Sequence, residues 1–308
     1  MQFYFAPLEG ITGYIFRNAH HAFYDGIDKY YAPFLSPAQN CVMNPKERRD
    51  VLVENNKGIP LVPQILANNA GYFTEAEKAL RAYGYEEVNL NLGCPSRTVV
   101  TKKKGAGFLA YPDELDRFLE QIFSHAEGGI SVKTRIGMDD EEEFYDLLAI
   151  YNKYPIKELI IHPRTQKDYY KNAPHMHMVA YAMEHSANPV CYNGDILTVS
   201  DYENLIKEFE GLHAVMIGRG MLTNPALITQ ITKNTPADKE VLRGFHDKLY
   251  QDYMQFMSGD KNVLYKMKEV WLYLLGSFAC GEAYRKDMKK VQRLMDYENL
   301  VNKLFAEG

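Results

Sequence analysis

The sequence has few cysteines, no long hydrophobic run and no excess of basic residues, and each absence excludes a class of protein. The four cysteines lie far apart and form no C-x-x-C pair, so neither a disulfide framework nor a zinc site is expected, and a reducing cytoplasm is the predicted location. No apolar run approaches the roughly 18 residues that a membrane span needs. The net charge of −5 is not that of a general nucleic-acid binder, so an RNA interface would have to consist of local patches.

The length and the composition are those of a globular protein. The 308 residues, of which 46% are hydrophobic and 24% charged, can form one large α/β domain with a small appendage, or two ordinary domains. The apolar N-terminus MQFYFAPLEG lacks a basic region and predicts a first strand rather than a signal peptide.

Strand-like and helix-like runs alternate along the first 235 residues. This regular alternation predicts a (β/α)8 TIM barrel, an α/β fold, and a doubly wound open sheet is the alternative. The eight predicted strands are 3–7, 28–34, 61–67, 86–93, 130–136, 157–164, 189–195 and 213–220.

The pattern changes after Pro236. Segments 241–257, 263–279 and 283–308 have helical periodicity with no strand between them, and 234–239 is typical of a linker. The sequence therefore predicts a barrel domain over 1–235 and a small C-terminal helical bundle domain over 236–308.

Polar residues stand at or near the ends of most of the predicted strands. In a TIM barrel the carboxyl ends of the strands meet at one face, where the active site lies. We therefore expect an active site that contains Glu9, Gln64, Asn91, Cys94, Lys133, Arg135, His162, Arg164, Asn193, Asp195 and Arg219.

The last two strands are followed by glycine turns, N-G-D at 193–195 and G-R-G at 218–220. Backbone N–H groups in such turns bind phosphate in many barrels, and Arg219 could add a charged contact. These two turns together predict a phosphate site.

Two residues keep alternative roles at this point. Lys133 could form a Schiff base, or it could be a fixed cation that stabilises negative charge on a ligand. Cys94 lies in a forced turn between Gly93 and Pro95, and it could be a nucleophile or, as a protonated thiol, a proton donor. His175 and His177 are spaced so that they do not share a helical face, so no metal site is expected there.

Taken together and in order, these motifs resemble the tRNA-dihydrouridine synthase family over essentially the whole barrel. The motifs that carry the resemblance are Ala6–Pro7–Leu8–Glu9–Gly10–Ile11–Thr12, Gln64, Asn91-x-Gly93–Cys94–Pro95, Gly105–Ala106, Lys133-x-Arg135-x-Gly137, His162-x-Arg164, Asn193–Gly194–Asp195 and Gly218–Arg219–Gly220.

The resemblance implies a flavin mononucleotide (FMN) enzyme that reduces the C5=C6 bond of uridines in tRNA and is recharged by NADPH. Flavin N5 would deliver hydride to C6, and Cys94 would protonate C5. The implied cofactor-binding residues are Pro7, Leu8, Glu9, Gln64, Lys133, His162, Asn193, Gly194, Asp195, Gly218 and Arg219. The residues implied to hold the uracil or its backbone are Asn91, Arg135 and Arg164.

The first motif departs from the family pattern. The family usually reads A-G-V-T-D, whereas here Glu9 replaces the small residue and Gly13 stands where Asp is usual. This departure leaves the contacts of that loop, and the role of Glu9, open.

Two basic patches are candidates for RNA contact. Lys102, Lys103 and Lys104 follow Cys94, and a second patch in the tail, predicted to lie on one helical face, comprises Lys286, Lys289, Lys290 and Arg293. The rival enzyme class is a flavin dehydrogenase that acts on a free pyrimidine. Such an enzyme would not need the tail lysines. A non-catalytic RNA-binding barrel is the other alternative. We expect no membrane or metal partner, and a monomer.

Overall fold

The computed structural model describes residues 1–307, and its first two-thirds form a barrel of parallel strands. The strands are β1 (Gln2–Phe5), β2 (Lys29–Tyr31), β3 (Leu61–Val62), β4 (Gln64–Ile65), β5 (Glu87–Leu92), β6 (Gly129–Arg135), β7 (Leu159–His162), β8 (Val190–Tyr192) and β9 (Ala214–Ile217). Their order in the sheet is β3-β2-β1-β9-β8-β7-β6-β5-β4.

The barrel closes at Pro63, which separates β3 from β4. Strand β3 pairs with β2 at one edge of the sheet, and β4 pairs with β5 at the other edge. Together β3 and β4 occupy one of the eight strand positions of the barrel and connect its two edges. Proline has no N–H to donate, which suits a point where the chain changes neighbours. Its carbonyl still accepts the Asn89 N–H at 2.9 Å. The predicted TIM-barrel fold with eight strand positions is therefore confirmed, and the open sheet is excluded.

Helices follow the strands and cover the outside of the barrel. Their buried residues recur at helical spacing, as Phe73, Ala76 and Leu80 do in α3. The helices are α1 (Tyr14–Phe23), α2 (Pro45–Val51), α3 (Ala70–Ala82), α4 (Arg97–Val100), α5 (Pro112–His125), α6 (Glu143–Tyr151), α7 (Met176–His185), α8 (Val199–Glu208), α9 (Arg219–Thr223) and α10 (Leu227–Lys233). No helix in residues 1–307 is long and apolar enough to cross a membrane.

The C-terminal region is helical, as predicted, but has four helices where the sequence indicated three: α11 (Lys239–Phe256), α12 (Asp260–Leu274), α13 (Gly281–Lys290) and α14 (Leu294–Glu307). The predicted helix over 283–308 is wrong because it breaks at 291–293. At the break, the Val291 N–H still donates to the Asp287 carbonyl, and the Val291 carbonyl accepts from Lys268 Nζ at 2.9 Å.

The helical region packs directly on the barrel. In α11, the Phe245 ring lies 5.6 Å from Phe16 and 5.7 Å from Tyr24, both in the first β–α unit. The two regions therefore share one buried apolar core, and the division at residue 235 remains a prediction.

The amino end of the barrel is closed by a buried carboxylate, Glu158, which is 2% exposed. It accepts hydrogen bonds from Tyr4 at 2.6 Å and Tyr31 at 3.3 Å, and it pairs with Lys29 at 3.4 Å. Side chains fill this end of the barrel, and the carboxylate of Glu158 already has partners within the protein. We therefore expect ligands to bind at the opposite, carboxyl end.

Candidate active site at the carboxyl end of the barrel

The strand register brings the predicted polar residues side by side. Asn91 of β5 is paired with Lys133 of β6, and Arg135 of β6 is paired with His162 of β7. Gln64 is fully buried, and Asn91 and His162 are 7% exposed. The register therefore places these strand ends next to each other, and the active site that they are expected to form stays a prediction.

A row of amides links β4, β5 and β6 inside the barrel. Gln64 donates to Asn89 Oδ1 at 2.8 Å and accepts from Asn91 Nδ2 at 2.7 Å, and Asn89 donates to Ser131 Oγ at 2.9 Å. Buried amides that are hydrogen-bonded to each other have fixed orientations. The network therefore sets the direction in which Gln64 and Asn91 present their remaining N–H groups.

Asn91 also builds the turn that carries Cys94. Its Oδ1 accepts the backbone N–H groups of Gly93 at 3.0 Å and Cys94 at 2.6 Å. Both ends of this side chain are engaged, so the structure gives Asn91 a positioning role for Cys94.

The Cys94 thiol is half-buried and protonated at neutral pH. Burial raises the pKa of Cys94 above its usual value, although a backbone hydrogen bond from Ser96 and the charges of Arg135 and Lys133 oppose the rise. A nucleophilic cysteine needs a lowered pKa. The environment therefore favours the proton-donor role over the nucleophile role that the spacing left open.

The G-A-G segment after the lysines holds this turn in place. Ala106 N–H donates to the Cys94 carbonyl at 3.0 Å. Gly105 has φ +56°, and a Cβ there would lie 2.7 Å from the same carbonyl oxygen. Only glycine fits this approach without moving Cys94.

We expect Gly105→Ala to displace Cys94 and to lower any turnover that depends on the Cys94 thiol by more than about tenfold, because a shift of about 1 Å in a catalytic group can cost up to 10²-fold. Gly211→Ala is the matched control, since Gly211 has φ +85° but open space around its Cβ position. Turnover assays and thermal melts of both variants check this. Equal activity in the two variants would show that crowding at Cys94 is unimportant.

Two of the three loop lysines fasten the loop rather than face solvent freely. Lys104 donates to Ser36 Oγ at 3.5 Å and to the Pro37 carbonyl at 3.4 Å. Lys103 Nζ lies 3.9 Å from the centroid of the Tyr111 ring. In residues 1–307, the Lys102 ammonium is exposed and has no side-chain partner. Lys102 is thus the loop cation most available to an anionic ligand.

Lys133 is a cation without a hydrogen-bond or ion-pair partner in the described part of the chain. Burial, together with the nearby charge of Arg135, lowers the pKa of Lys133 to about 8. An unpaired ammonium inside a protein is costly unless a ligand supplies the negative charge. Lys133 is therefore the strongest indication of an anionic ligand in the barrel mouth.

The buried guanidinium groups of Arg135 and Arg164 hold loops. Arg135 donates to the carbonyls of Gly93 at 2.9 Å, Thr165 at 2.7 Å and Tyr169 at 2.9 Å. Arg164 donates to the Asn172 carbonyl at 2.6 Å. Their substrate contacts stay predictions, whereas these hydrogen bonds give both residues a structural role in the mouth.

His162 is neutral and has a defined tautomer. Burial, and then the charges of Arg135, Lys133 and Arg164, lower the pKa of His162 well below its usual value. Arg164 Nη1 lies 3.3 Å from His162 Nε2 and can only donate, so Nε2 accepts and Nδ1 carries the proton. The Nδ1–H group is then available to a ligand.

Asp195 lies between two arginines. Burial alone would raise the pKa of Asp195, but hydrogen bonds and charge from Arg164 and Arg219 lower it. The N–H groups of Gly194 and Asp195 have no acceptor within residues 1–307. These free donors beside Arg219 have the chemistry of a phosphate site.

The two glycine turns are packed closely on their surroundings. A Cβ at Gly194 would lie 1.9 Å from the Tyr192 hydroxyl, and one at Gly220 would lie 2.1 Å from the Ile196 carbonyl. Asn193 Nδ2 donates to the Met216 carbonyl at 2.8 Å, which ties the N-G-D turn to β9. This packing explains why glycine is required at both positions.

The structure adds a residue that sequence reasoning missed, Tyr170 in the loop between β7 and α7. Its ring is 51% exposed and lies 5.3 Å from Arg135 Cζ and 4.8 Å from Arg219 Cζ. Asp168 anchors this loop by accepting the Thr165 N–H at 2.8 Å. The only sequence signal was a Tyr-Tyr pair after H-x-R, which has no periodicity to interpret.

Pro7, Leu8 and Glu9 lie in the loop after β1. Leu8 N–H donates to Thr12 Oγ1 at 2.8 Å, which fixes the turn. Glu9 is half-exposed and pairs with Lys46 of α2 at 3.2 Å. Glu9 is therefore turned toward α2, on the side of the helical region.

The tail patch is divided. Lys286, Lys289 and Lys290 are exposed on α13, with the three- and four-residue spacing that places them on one face. Arg293 lies beyond the end of that helix and pairs with Asp296 at 2.7 Å. The prediction of a shared helical face is thus wrong for Arg293, because the helix ends at Lys290.

Comparisons with known proteins agree with this geometry. The dihydrouridine synthase (Dus) family model matches residues 4–307. The tRNA-dihydrouridine(16) synthase of Cupriavidus necator is 24% identical over 98% of this chain and 96% of its own. The corresponding enzyme of Pseudomonas syringae is 30% identical over 75% of this chain and 74% of its own. The tRNA-dihydrouridine synthase B of Pasteurella multocida is 26% identical over 89% and 83%.

Solved structures share the fold. The old yellow enzyme from Trypanosoma cruzi superimposes with a TM-score of 0.57 at 10% sequence identity, covering 83% of this chain and 94% of that one. A morphinone reductase variant superimposes with a TM-score of 0.56 at 9% identity, covering 79% and 90%. The family match over nearly the whole chain identifies it: this protein belongs to the dihydrouridine synthase family of oxidoreductases.

Proposed function

We propose that this protein reduces the C5=C6 bond of uridines in tRNA, with FMN as the cofactor and NADPH as the reductant. The observation that carries the proposal is the Cys94 turn, which Asn91 holds at the rim of a barrel mouth beside the unpaired Lys133 ammonium. The family match and the names of the relatives, which are tRNA-dihydrouridine synthases, support the same activity and substrate.

The residues in the mouth fit FMN. The unpaired Lys133 ammonium suits the edge of a flavin ring that gains negative charge on reduction, and the free His162 Nδ1–H can donate to a ring acceptor. Gly194, Asp195, Gly218, Arg219 and Asn193 would hold its phosphate. When bound, the flavin supplies the hydride chemistry. Pro7, Leu8, Glu9 and Gln64 complete the proposed set around the ring.

The chain's own contribution to the reaction is a proton held at Cys94 Sγ. The Asn91 and Ala106 hydrogen bonds fix the backbone of Cys94, so the thiol stays in one place relative to the barrel mouth. Burial keeps the proton on sulfur at neutral pH. The thiol donates that proton to uracil C5, and Asn91, Arg135 and Arg164 keep the surrounding loops in position.

We assign the RNA backbone to the exposed cations. Lys102 lies on the Cys94 loop, and α13 carries the three tail lysines, Lys286, Lys289 and Lys290. Lys103, Lys104 and Arg293 contribute charge from positions where they are also tied to protein groups. In this proposal the helical region 236–308 grips the tRNA, and the protein is a cytoplasmic monomer.

The rival function is a dehydrogenase of a free pyrimidine, and an assay of which substrate is reduced distinguishes the two functions. The purified protein with NADPH should form dihydrouridine in tRNA from cells that lack this protein, and should leave uracil and UMP unchanged. A Lys286→Ala, Lys289→Ala, Lys290→Ala triple variant should bind tRNA more weakly with a shallower salt dependence. Reduction of uracil or UMP at the same rate as tRNA would contradict the proposal.

Lys133 predicts a pH dependence of cofactor binding. Its pKa is about 8, so the ammonium loses its proton as the pH rises above 8. Above that pH, an anionic ligand that needs the positive charge binds only when Lys133 takes up a proton, and its affinity falls. We expect FMN affinity to fall about fivefold between pH 8 and pH 9, because the protonated fraction of Lys133 falls from about one half to about one eleventh. Lys133→Met should bind FMN more weakly and without this fall. Fluorescence titration of the apoprotein measures both, and a parallel pH profile in the variant would contradict the assignment.

A further inference from the structure

A cavity of about 350 Å³ lies at the junction between the barrel and the helical region. It is distinct from the barrel mouth and is lined by the β1–α1 loop, the loop after β2, α2 and the α11–α12 connection. The residues that matter below are Glu9, Tyr14, Phe34, Lys46, Arg49 and Phe256. Its volume is within the range of about 300–1,000 Å³ that is typical of small-ligand sites. We call it the junction cavity.

Its apolar wall is aromatic. Tyr14 and Phe256 meet edge to face with their ring centroids 5.4 Å apart, and Phe34 lies on the opposite loop. Phe256, at the end of α11, is 57% exposed, so much of its ring is accessible to a ligand. Exposed aromatic rings around a cavity are a stacking surface for a planar ring.

Every charged side chain that lines the cavity has an ion-pair or hydrogen-bond partner except one. Asp50 accepts the Tyr14 N–H at 2.6 Å and pairs with Arg17 at 3.2 Å, so its charge is already used. Lys46 pairs with Glu9, and Lys266 pairs with Glu269 at 2.7 Å.

Glu47 caps α2 through the Asn44 N–H at 2.8 Å. Arg49 is the one lining cation whose side chain has no carboxylate or hydrogen-bond partner in residues 1–307. Its charge acts on the Tyr14 hydroxyl, where it opposes the rise in the pKa of Tyr14 that burial causes. The cavity therefore offers stacking for one ring and one free positive charge beside it.

The junction cavity adjoins the active site across the β1–α1 loop. Leu8 belongs to the proposed flavin wall, and the next residue, Glu9, lines the cavity and lies near enough to Cys94 for its charge to raise the pKa of that thiol. A ring plus a single phosphodiester is the chemistry of one nucleotide of an RNA strand. We propose that the junction cavity is a second nucleotide subsite, which binds an unstacked nucleotide of the RNA strand that carries the target uridine.

This inference rests on the proposed function and deepens it. It also gives Glu9 a role that its departure from the family motif left open: the Glu9–Lys46 pair forms the polar wall of the subsite next to the mouth. In this assignment, the base stacks on Phe256 and Tyr14, and the phosphodiester contacts Arg49.

Two variants should have different signatures in tRNA binding. Arg49→Ala should weaken the affinity for unmodified tRNA several-fold and reduce the slope of log Kd against log salt by about one. Phe256→Ala should weaken it about tenfold, the size of one lost base stack, and leave the slope unchanged. Phe256→Trp should retain wild-type affinity, because it restores the stacking face. Filter binding of tRNA from cells that lack this protein, over a KCl series, measures all of these.

Arg48→Ala is the matched control. Arg48 is exposed on the same helix, one residue away, and does not line the cavity. Equal losses in Arg48→Ala and Arg49→Ala, or a Phe256→Trp variant as weak as Phe256→Ala, would overturn the subsite while the wild-type enzyme still forms dihydrouridine. A wild-type protein that forms no dihydrouridine in tRNA would contradict the proposed function itself, and the subsite with it.

Discussion

Cys94→Ala should retain its flavin and its reduction by NADPH but lose dihydrouridine formation by about 10²- to 10⁴-fold, the usual contribution of a general acid. The physical reason is that no other proton donor is held in that turn: Asn91 Oδ1 accepts from the Cys94 and Gly93 amides and has no proton to give. Rapid-mixing absorbance measures flavin reduction, and mass spectrometry of digested tRNA measures the product.

Cys280→Ala is the control, because Cys280 is also a free, half-buried cysteine but lies in the helical region. It should behave as wild type in both half-reactions. If Cys94→Ala loses flavin reduction by NADPH, or forms dihydrouridine at the wild-type rate, the proton-donor assignment is wrong. Because the thiol is protonated at neutral pH, we also expect the wild-type rate to fall at alkaline pH, where the proton is lost.

Asp195→Asn should destabilise the apoprotein by about 1–3 kcal/mol, because it leaves the buried Arg164 guanidinium without its carboxylate partner, while the 32% exposure of Asp195 reduces the cost below that of a fully buried pair. Arg164 is 2% exposed and, with Arg219, loses its carboxylate partner in this variant. The barrel mouth would then contain Lys133, Arg135, Arg164 and Arg219 without the carboxylate that lies among them. Denaturant unfolding of the apoprotein measures the loss.

An added anion should rescue this variant. Inorganic phosphate or FMN supplies negative charge at the same place, so each should raise the unfolding midpoint of Asp195→Asn more than that of the wild type. Asp287→Asn, an exposed carboxylate on α13 without an ion-pair partner in residues 1–307, should change stability by less than about 0.5 kcal/mol. A wild-type-like midpoint for Asp195→Asn would contradict the electrostatic account of the mouth.

The convergence of the site could be predicted from sequence because it follows from local rules. A parallel barrel brings strand ends together, and residues two apart share a face, so Ser131, Lys133 and Arg135 point the same way. The hydrogen bond from Asn89 to Ser131 agrees with this expectation.

The partners of those residues could not be predicted, because they lie far away in the sequence. Arg135 reaches the carbonyl of Tyr169, 34 residues further along the chain, and Lys104 reaches Pro37, 67 residues back. The sequence spacing therefore predicted that these cations lie in the mouth and in the loop. It did not show that their N–H groups donate to backbone carbonyls of the protein.

The break between α13 and α14 was missed for a similar reason. Segment 291–293 is Val-Gln-Arg, with no glycine or proline to mark a helix end. At this break Lys268 from α12 donates to the Val291 carbonyl, which is a tertiary contact. Helix ends that are set by distant side chains carry no local signal.

The central claim is that this barrel uses a Cys94 proton to make dihydrouridine in tRNA. Its most direct test is the dihydrouridine content of tRNA from cells that lack this protein, measured by mass spectrometry after incubation with the purified wild-type or Cys94→Ala protein and NADPH. We predict dihydrouridine with the wild type, and tRNA that is indistinguishable from the untreated sample with the variant. No gain with the wild type, or equal gains with both, would contradict the claim.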